Sequence, residues 1–351
     1  MMSSIDIEKI RADTPGCAGV LHFNNAGASL PPAAVYQAVT DHLKLESRMG
    51  GYEAEAHAQE KLDRFYPAFA ALLNCDPGEM AFVENATRAW DMAFYAIPFE
   101  PGDRILTARA EYVSNYLAFL QVARQKNLKI DVVPNDASGQ ISLDALEEMI
   151  DEDVKLIAIT HVPTQGGLIN PAEAVGQIAR KHNILYLLDA CQSVGQMPVD
   201  VKKIKCDMLS GTGRKYLRGP RGTGFLFIRR PLIEQLEPPF IDLHAATWID
   251  KDRFEIRNDA RRFENWESYI AGRIGLATAV DYALDIGLEA IQERVQHLAA
   301  LLRRRLSEFS GIVVRDLGRH RCGIVTFTKE NESAPAIQQR LASHRINISV
   351  T

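Results

Sequence analysis

VKLIAITHVPTQGGLINPAEAVGQIARKHNILYLLDA, residues 154–190, decides how this chain folds. VKLIAITHV (154–162) is apolar almost throughout, which reads as a strand buried on both faces. PAEAVGQIARKHN (171–183) starts with a proline, tolerated in a helix's first turn, and runs as a helix. ILYLLDA (184–190) is a second buried strand. Strand, helix, strand, with both strands apolar along their length, predicts a parallel or mixed sheet with helices on both faces.

The same alternation extends in both directions. Upstream, RILTA (104–108) and KIDVVP (129–134) read as strands around a helix at NYLAFLQVARQKN (115–127). SLDALEEMI (142–150) reads as a helix with Ser142 at its N-cap. Downstream, CDMLS (206–210) and GFLFIRR (224–230) continue the strands. From about residue 245 the pattern changes to two long helical segments, a strand at GIVTFT (323–328) and a last helix at APAIQQRLASH (334–344). The expectation is an α/β large domain over residues 15–245, with a mixed, mostly parallel sheet. A smaller α+β domain is expected from residues 1–14 and 246–351.

The totals narrow the function. The 351 residues are 46% hydrophobic and 24% charged, ordinary for a globular protein, and the net charge of −5 implies no nucleic-acid partner. No apolar run approaches the length of a membrane span, and MMSSIDIEKIRADTP has no apolar leader core. Cys17, Cys75, Cys191, Cys206 and Cys322 form no CxxC pair, which argues against a zinc site or a disulfide framework and for a reducing cytoplasm.

Ligands of such sheets sit beyond the carboxyl ends of the strands, and that rule selects which loops to read. Asp189 ends YLLD; it is either a helix cap or a carboxylate facing a cationic ligand atom, with Gln192 three residues on. GTGRKYLRGPRGTGFLFI (211–228) sets Lys215 among glycines and arginines. A basic surface loop is the plain alternative, but a lysine amine can also form an imine with an aldehyde. ENATRAWDMAFYAI (84–97) places Asn85, Ala86, Thr87 and Arg88 at a helix start, where backbone N–H groups cradle phosphate or simply cap the helix. Thr212 and Arg214 flank the lysine as a second phosphate contribution. Tyr112, in ARAEYVSN (108–115), offers a flat partner for a ring. A lysine, a carboxylate and a phosphate cradle are the parts that a pyridoxal phosphate enzyme requires. GPRGTG (219–224) also invites a dinucleotide fold, but it precedes a strand where that fingerprint needs a helix.

With these residues in place, the chain resembles the class V aminotransferase family of fold type I pyridoxal phosphate enzymes. That family includes cysteine desulfurases, isopenicillin N epimerase-like proteins and ergothioneine-type C–S lyases. HFNNAGASLPP (22–32), THVPTQGGLINP (160–171), LLDACQSVGQ (187–196) and TGRKYLRGPRGTG (212–224) look like that family's segments in the right order. MGGYEAEAH (49–57) is similar to a segment of the C–S lyases. The resemblance implies Lys215 as the cofactor's lysine, Asp189 as partner of the pyridine nitrogen, and Gln192 near the ring's 3-oxygen. It places Tyr112 at the stacking position and Ala86, Thr87, Arg88, Thr212 and Arg214 at the phosphate. Asn25, Ala26 and Gly27 would border the substrate, as would Thr164, which stands where many relatives carry the asparagine that reaches the 3-oxygen. It also implies a homodimer.

The sequence departs from the family in places. Arg214 replaces a histidine. In RRFENWESYIAG (261–272), Trp266 and Glu267 stand at a Gly-Thr pair that contacts phosphate from the second subunit, so either this segment serves substrate selection or its alignment with the family is shifted. After INISVT (346–351) relatives continue with a tail bearing a mobile cysteine loop and a carboxylate-gripping arginine, so the chain is expected to be shortened relative to them.

The resulting expectation is a pyridoxal phosphate enzyme acting on a small α-amino acid. Lys215 would hold the cofactor and then take the Cα proton, while Asp189 keeps the ring nitrogen protonated. Transamination, C–S lysis and racemisation stay open. The alternative from another class is a non-catalytic relative acting as a dimeric partner protein.

Overall fold

The computed structural model describes residues 5–351, so residues 1–4 of the expected 1–14 segment lie outside the described residues. Successive residues of a strand point to opposite sides, and the central strands use both sides for burial. In 154–160, Leu156 and Ala158 join one apolar core while Ile157 and Ile159 join another. In 185–189, Leu187 and Leu188 divide the same way. The unbroken apolar runs therefore arise from two cores separated by one sheet.

That sheet has seven strands: β1 (Met80–Val83), β2 (Arg104–Ala108), β3 (Lys129–Val133), β4 (Val154–Thr160), β5 (Leu185–Asp189), β6 (Met208–Thr212) and β7 (Gly224–Ile228). Their order is β1-β7-β6-β5-β4-β2-β3. The run from β6 to β3 is parallel, and β7 is antiparallel to both neighbours. The sheet is thus mixed and mostly parallel, and the protein has the α/β architecture expected.

Helices α3 (Ala86–Phe94) and α4 (Val113–Lys126) cover one face with Trp90, Phe94 and Phe119. Helices α2 (Phe65–Leu73), α5 (Ala172–Lys181) and α6 (Ile270–Ile286) cover the other with Phe65, Phe69, Val175 and Val280. Truncating one of these fully buried side chains to alanine costs about 2–5 kcal/mol, because the walls of the cavity only partly collapse. The chain leaves α2 and α4 through Asn74 and Asn127, both left-handed at φ 57°, a conformation asparagine tolerates better than other side-chain-bearing residues. Ser142 caps the next helix by accepting from the Ala145 N–H, and that helix stops at Glu148.

Beyond residue 245 the first feature is a hairpin, Ala246–Asp250 with Arg253–Ile256, a stretch in which the sequence predicts no element. Helix α6 then packs on α1 (Ala33–Met49) and α2, followed by α7 (Leu288–Ser307). The strand expected at 323–328 is confined to Phe327–Lys329, paired antiparallel with Ile312–Val314. Upstream of it, the Cys322 and Ile324 carbonyls accept instead from the Arg303 guanidinium at 2.8 and 2.7 Å. Near the chain end Ile346–Asn347 pairs in parallel with Leu21–His22. Among the described residues, no helix is long and apolar enough to cross a membrane.

Candidate active site

Register brings the carboxyl ends of the central strands level. Thr160 lies opposite Asp189, Asp189 opposite Ser210, and Thr212 opposite Gly224, which also faces Val83 at the end of β1. Asp189 is only 4% exposed. A buried carboxylate is costly unless hydrogen-bonded. Its Oδ1 accepts from the Cys191 N–H at 2.9 Å and its Oδ2 from Asn115 Nδ2 at 3.0 Å.

Lys215 lies in the closed loop between β6 and β7. The Gly213 N–H donates to Thr223 O at 3.1 Å, Gly219 N–H to Gly213 O at 2.8 Å, and Arg218 N–H to Lys215 O at 2.9 Å. Arg218 takes a left-handed φ of 63°, and its guanidinium donates to Leu30 O at 3.1 Å. This frame holds Lys215 at 7% exposure, with Nζ 6.0 Å from the centroid of the Tyr112 ring. Among the described residues Nζ has no hydrogen-bond or ion-pair partner, so the fold makes no polar use of this amine.

The start of α3 lies beside β7. Asn85 caps the helix by accepting from the Arg88 N–H at 2.9 Å. Gly224 allows the approach: a Cβ there would meet the Asn85 carbonyl carbon at 2.6 Å. Ala86 and Thr87 thus head a nine-residue helix, where unpaired N–H groups favour an anion. Thr212 is buried at the neighbouring strand end, its hydroxyl donating to Thr223 O at 3.3 Å. The Arg88 side chain turns to Asn265 Oδ1 at 3.0 Å and lies 4.9 Å from the Phe240 ring centroid.

The loop carrying Asn25, Ala26 and Gly27 is joined to this cluster. Gln192 Nε2 donates to Ala26 O at 3.1 Å, while its buried Oε1 has no partner among the described residues. The Arg214 guanidinium donates to Gly27 O, and the Ser29 N–H donates to Arg214 O at 2.9 Å. Arg214 therefore binds the 24–29 loop. Thr164 is exposed and makes no hydrogen bond within the cluster. Trp266 and Glu267 are both exposed, and the Trp266 N–H donates to Asp242 Oδ2 at 2.8 Å.

Sequence reasoning missed two polar groups here. Glu111 accepts from Asn115 and from the Tyr112 N–H at 2.9 and 2.7 Å. Burial pushes its carboxyl up to about 7; the Thr160 and Asn115 hydrogen bonds oppose that rise and nearby Asp189 adds to it. His161 follows β4 with a buried, unpartnered Nδ1, and burial lowers it to about 4, which keeps the ring neutral near neutral pH. Burial, then Asp189, pushes the Cys191 thiol well up. The only signal in the sequence was the four-residue spacing of Glu111 and Asn115, which also suits an ordinary helix start.

The donor set suits pyridoxal phosphate. An amine without a partner, a carboxylate fixed at the end of β5, an orphaned amide oxygen just after that strand and a helix N-terminus beside β7 all belong to the carboxyl-end loops of the sheet. A separate cleft of about 1260 Å³, lined by His42, Lys61, Arg64 and Asp281 among others, contains none of these groups.

Comparison with known proteins agrees with that chemistry. The family described as "Aminotransferase class-V" matches residues 20–350. A probable cysteine desulfurase of Pyrococcus abyssi is 29% identical over 97% of this chain and 86% of its own length. One from Halalkalibacterium halodurans is 30% identical over 89% of this chain and 78% of its own. The apo structure of a cysteine desulfurase from Thermococcus onnurineus NA1 superposes with a TM-score of 0.91 at 28% identity, covering 99% of this chain and 88% of that one.

Proposed function

This chain belongs to the class V aminotransferase family, and from that premise we propose a pyridoxal phosphate enzyme that cleaves the C–S bond of a small α-amino acid, cysteine or a close analogue. The observation that carries this reading is Lys215, a mostly buried lysine whose amine has no protein partner among the described residues, in the loop that follows the strand paired with that of Asp189. The choice of bond follows the relatives named as cysteine desulfurases.

When bound, pyridoxal phosphate supplies an aldehyde that joins an amine and a ring that withdraws electrons from the attached amino acid's Cα. Lys215 would hold the cofactor through Nζ; released by the substrate amine, Nζ would then take the Cα proton as general base. Asp189 would face the ring nitrogen and keep a proton there, its orientation set by Asn115 and the Cys191 N–H. Tyr112 would cover one ring face, and Gln192 would meet a polar ring substituent. The N–H groups of Ala86 and Thr87, with Thr212, would hold the phosphate. Asn25, Ala26 and Gly27 would border the amino acid. Arg214, fixed on Gly27 O, would brace that border from the lysine's side, and Thr164 would flank its open edge.

We propose further that the protein is a homodimer whose interface includes exposed apolar side chains near the α3 and α4 starts, among them Val113 and Leu117 (69% and 59% exposed) and Phe240 beneath Arg88 (58%). A mass from light scattering near 39.1 kDa, that of one chain, would contradict this. Activity is tested by supplying cysteine, cystine, alanine and aspartate to the cofactor-loaded protein and measuring sulfide, pyruvate and keto-acid-dependent amino transfer. Sulfide or persulfide with cysteine or cystine is expected. Amino transfer alone would move the protein to the transaminase side of its family.

A further inference from the structure

Glu111 has no role in the reading above, although it is the best-held side chain at the strand ends. Its Oε1 accepts from the Tyr112 N–H at 2.7 Å, from Asn115 Nδ2 at 2.9 Å and from the Thr160 hydroxyl. Its Oε2 accepts from the Thr107 hydroxyl at 3.1 Å. Thr107 and Thr160 stand at the ends of β2 and β4 and are 0% and 3% exposed. The carboxylate is thus clamped to two strands and to the first turn of α4.

Asn115 links it to the third strand. Its amide nitrogen carries two hydrogens; one goes to Glu111 Oε1 and the other to Asp189 Oδ2 at 3.0 Å. When ionised, both neighbours are acceptors only, and this amide cannot then flip without setting its oxygen against a carboxylate. Removing Glu111 frees that rotation. It also frees the Tyr112 N–H, at the N-cap of α4, from its shortest bond; the remaining contact, to the Thr160 hydroxyl, is 3.3 Å. Among the described residues no cation pairs with Glu111. The charged or titratable groups around it are Asp189 through Asn115, Tyr112, and Lys215 beyond the Tyr112 ring. Its hydrogen bonds therefore order neighbours that the site needs.

We infer that Glu111 is a positioning residue of the cofactor pocket, which through Asn115 sets the orientation of Asp189 and through the Tyr112 backbone sets the stacking ring. This rests on the assignment of Lys215, Asp189 and Tyr112 to the cofactor site. Glutamine at 111 keeps an oxygen for the Tyr112, Asn115 and Thr160 donors, and the Thr107 hydroxyl can turn to accept from the new amide. Alanine keeps none of these. The positioning role therefore predicts recovery by glutamine, which a role for the charge would not.

The test titrates pyridoxal phosphate into wild type, Glu111→Gln, Glu111→Ala, Asn115→Ala and, as a control, Lys215→Ala. The readouts are cofactor affinity and visible circular dichroism of the bound cofactor, with far-ultraviolet dichroism to verify folding. Glu111→Ala and Asn115→Ala are expected to bind about tenfold more weakly and lose most of the visible signal, while Glu111→Gln stays within about twofold of wild type. Should Glu111→Ala not fold, Asn115→Ala against Glu111→Gln reads the same contrast. Wild-type affinity and dichroism in both alanine variants would overturn the inference, as would a glutamine variant as impaired as the alanine one. If wild type itself shows no Lys215-dependent band, it is the cofactor-site assignment that fails, and the inference with it.

Discussion

Two glutamates, each held by several donors, stand in contrast. Glu264 is 3% exposed and accepts from the Tyr66 phenol at 3.0 and 3.1 Å, the Phe82 N–H at 2.8 Å and His244 Nε2 at 2.9 Å. Arginines surround it: Arg261 lies 5.2 Å and Arg273 4.8 Å from the Tyr66 ring centroid. This cluster joins edge strand β1, α2 and the 244–273 segment, with positive charge close at hand. At the strand ends, Glu111 and Asp189 share neutral donors only, while Lys215 stands unpaired. In the first cluster the glutamate is satisfied within the protein, although the buried Arg273 Nε beside it has no partner among the described residues. The other leaves its amine and its carboxylates without ionic partners, as a site does when a ligand completes it.

The largest effect expected from this contrast is catalytic. Lys215→Ala should lower turnover of the amino-acid substrate by about 1000-fold or more if, as proposed, Lys215 both holds the cofactor and acts as the base. The cofactor-free variant should melt no lower than wild type, because the amine makes no hydrogen bond or ion pair that the fold could lose. A variant that melts well below wild type would give Lys215 a structural role and dissolve the comparison.

Glu264→Ala should do the reverse. It strands a buried backbone N–H, a phenol and an imidazole, and should cost about 4 kcal/mol in urea unfolding. Turnover per folded, cofactor-loaded subunit should change by less than about threefold. Unchanged stability with lost turnover would place Glu264 in the site.

A finer contrast separates Glu111 from His161. Glu111 rises from 4.5 to about 7 in the folded protein, so between those values the native state keeps a proton that the unfolded chain has released, and stability falls as pH rises. His161 drops from 6.5 to about 4, so in that window the unfolded chain binds a proton that the native state refuses, and stability rises with pH. In urea unfolding of cofactor-free protein, Glu111→Gln should gain on wild type by roughly 3 kcal/mol more at pH 7 than at pH 4.5. His161→Gln should show a similar difference of opposite sign. Changes of the same sign in both would refute the contrast.

Much of this arrangement is visible in the chain itself, for identifiable reasons. Strands β4 and β5 are legible because both of their faces are buried, which leaves VKLIAIT and LYLLD unbroken. Asp189 and Lys215 follow from the rule that ligands gather at strand ends. The hairpin at 246–256 is not legible because its side chains are largely exposed; Trp248 is 73% and Phe254 47% exposed, among charged residues. GIVTFT misleads because an apolar run does not reveal that Arg303 has taken its neighbouring carbonyls. Residue types also do not fix direction. Arg214 is legible as a cation beside the lysine, while the bond of its guanidinium to Gly27 O is not. The Glu111–Asn115–Asp189 chain joins residues 74 positions apart between Asn115 and Asp189, and only folding brings them together.

The central claim is that Lys215 is the amine that holds the cofactor. Borohydride reduction of the pyridoxal phosphate-loaded protein, followed by proteolysis and mass mapping, tests it directly. The account predicts a single pyridoxyl-phosphate adduct on the peptide containing Lys215. An adduct on other lysines with Lys215 unmodified, in protein shown to be folded, would contradict it.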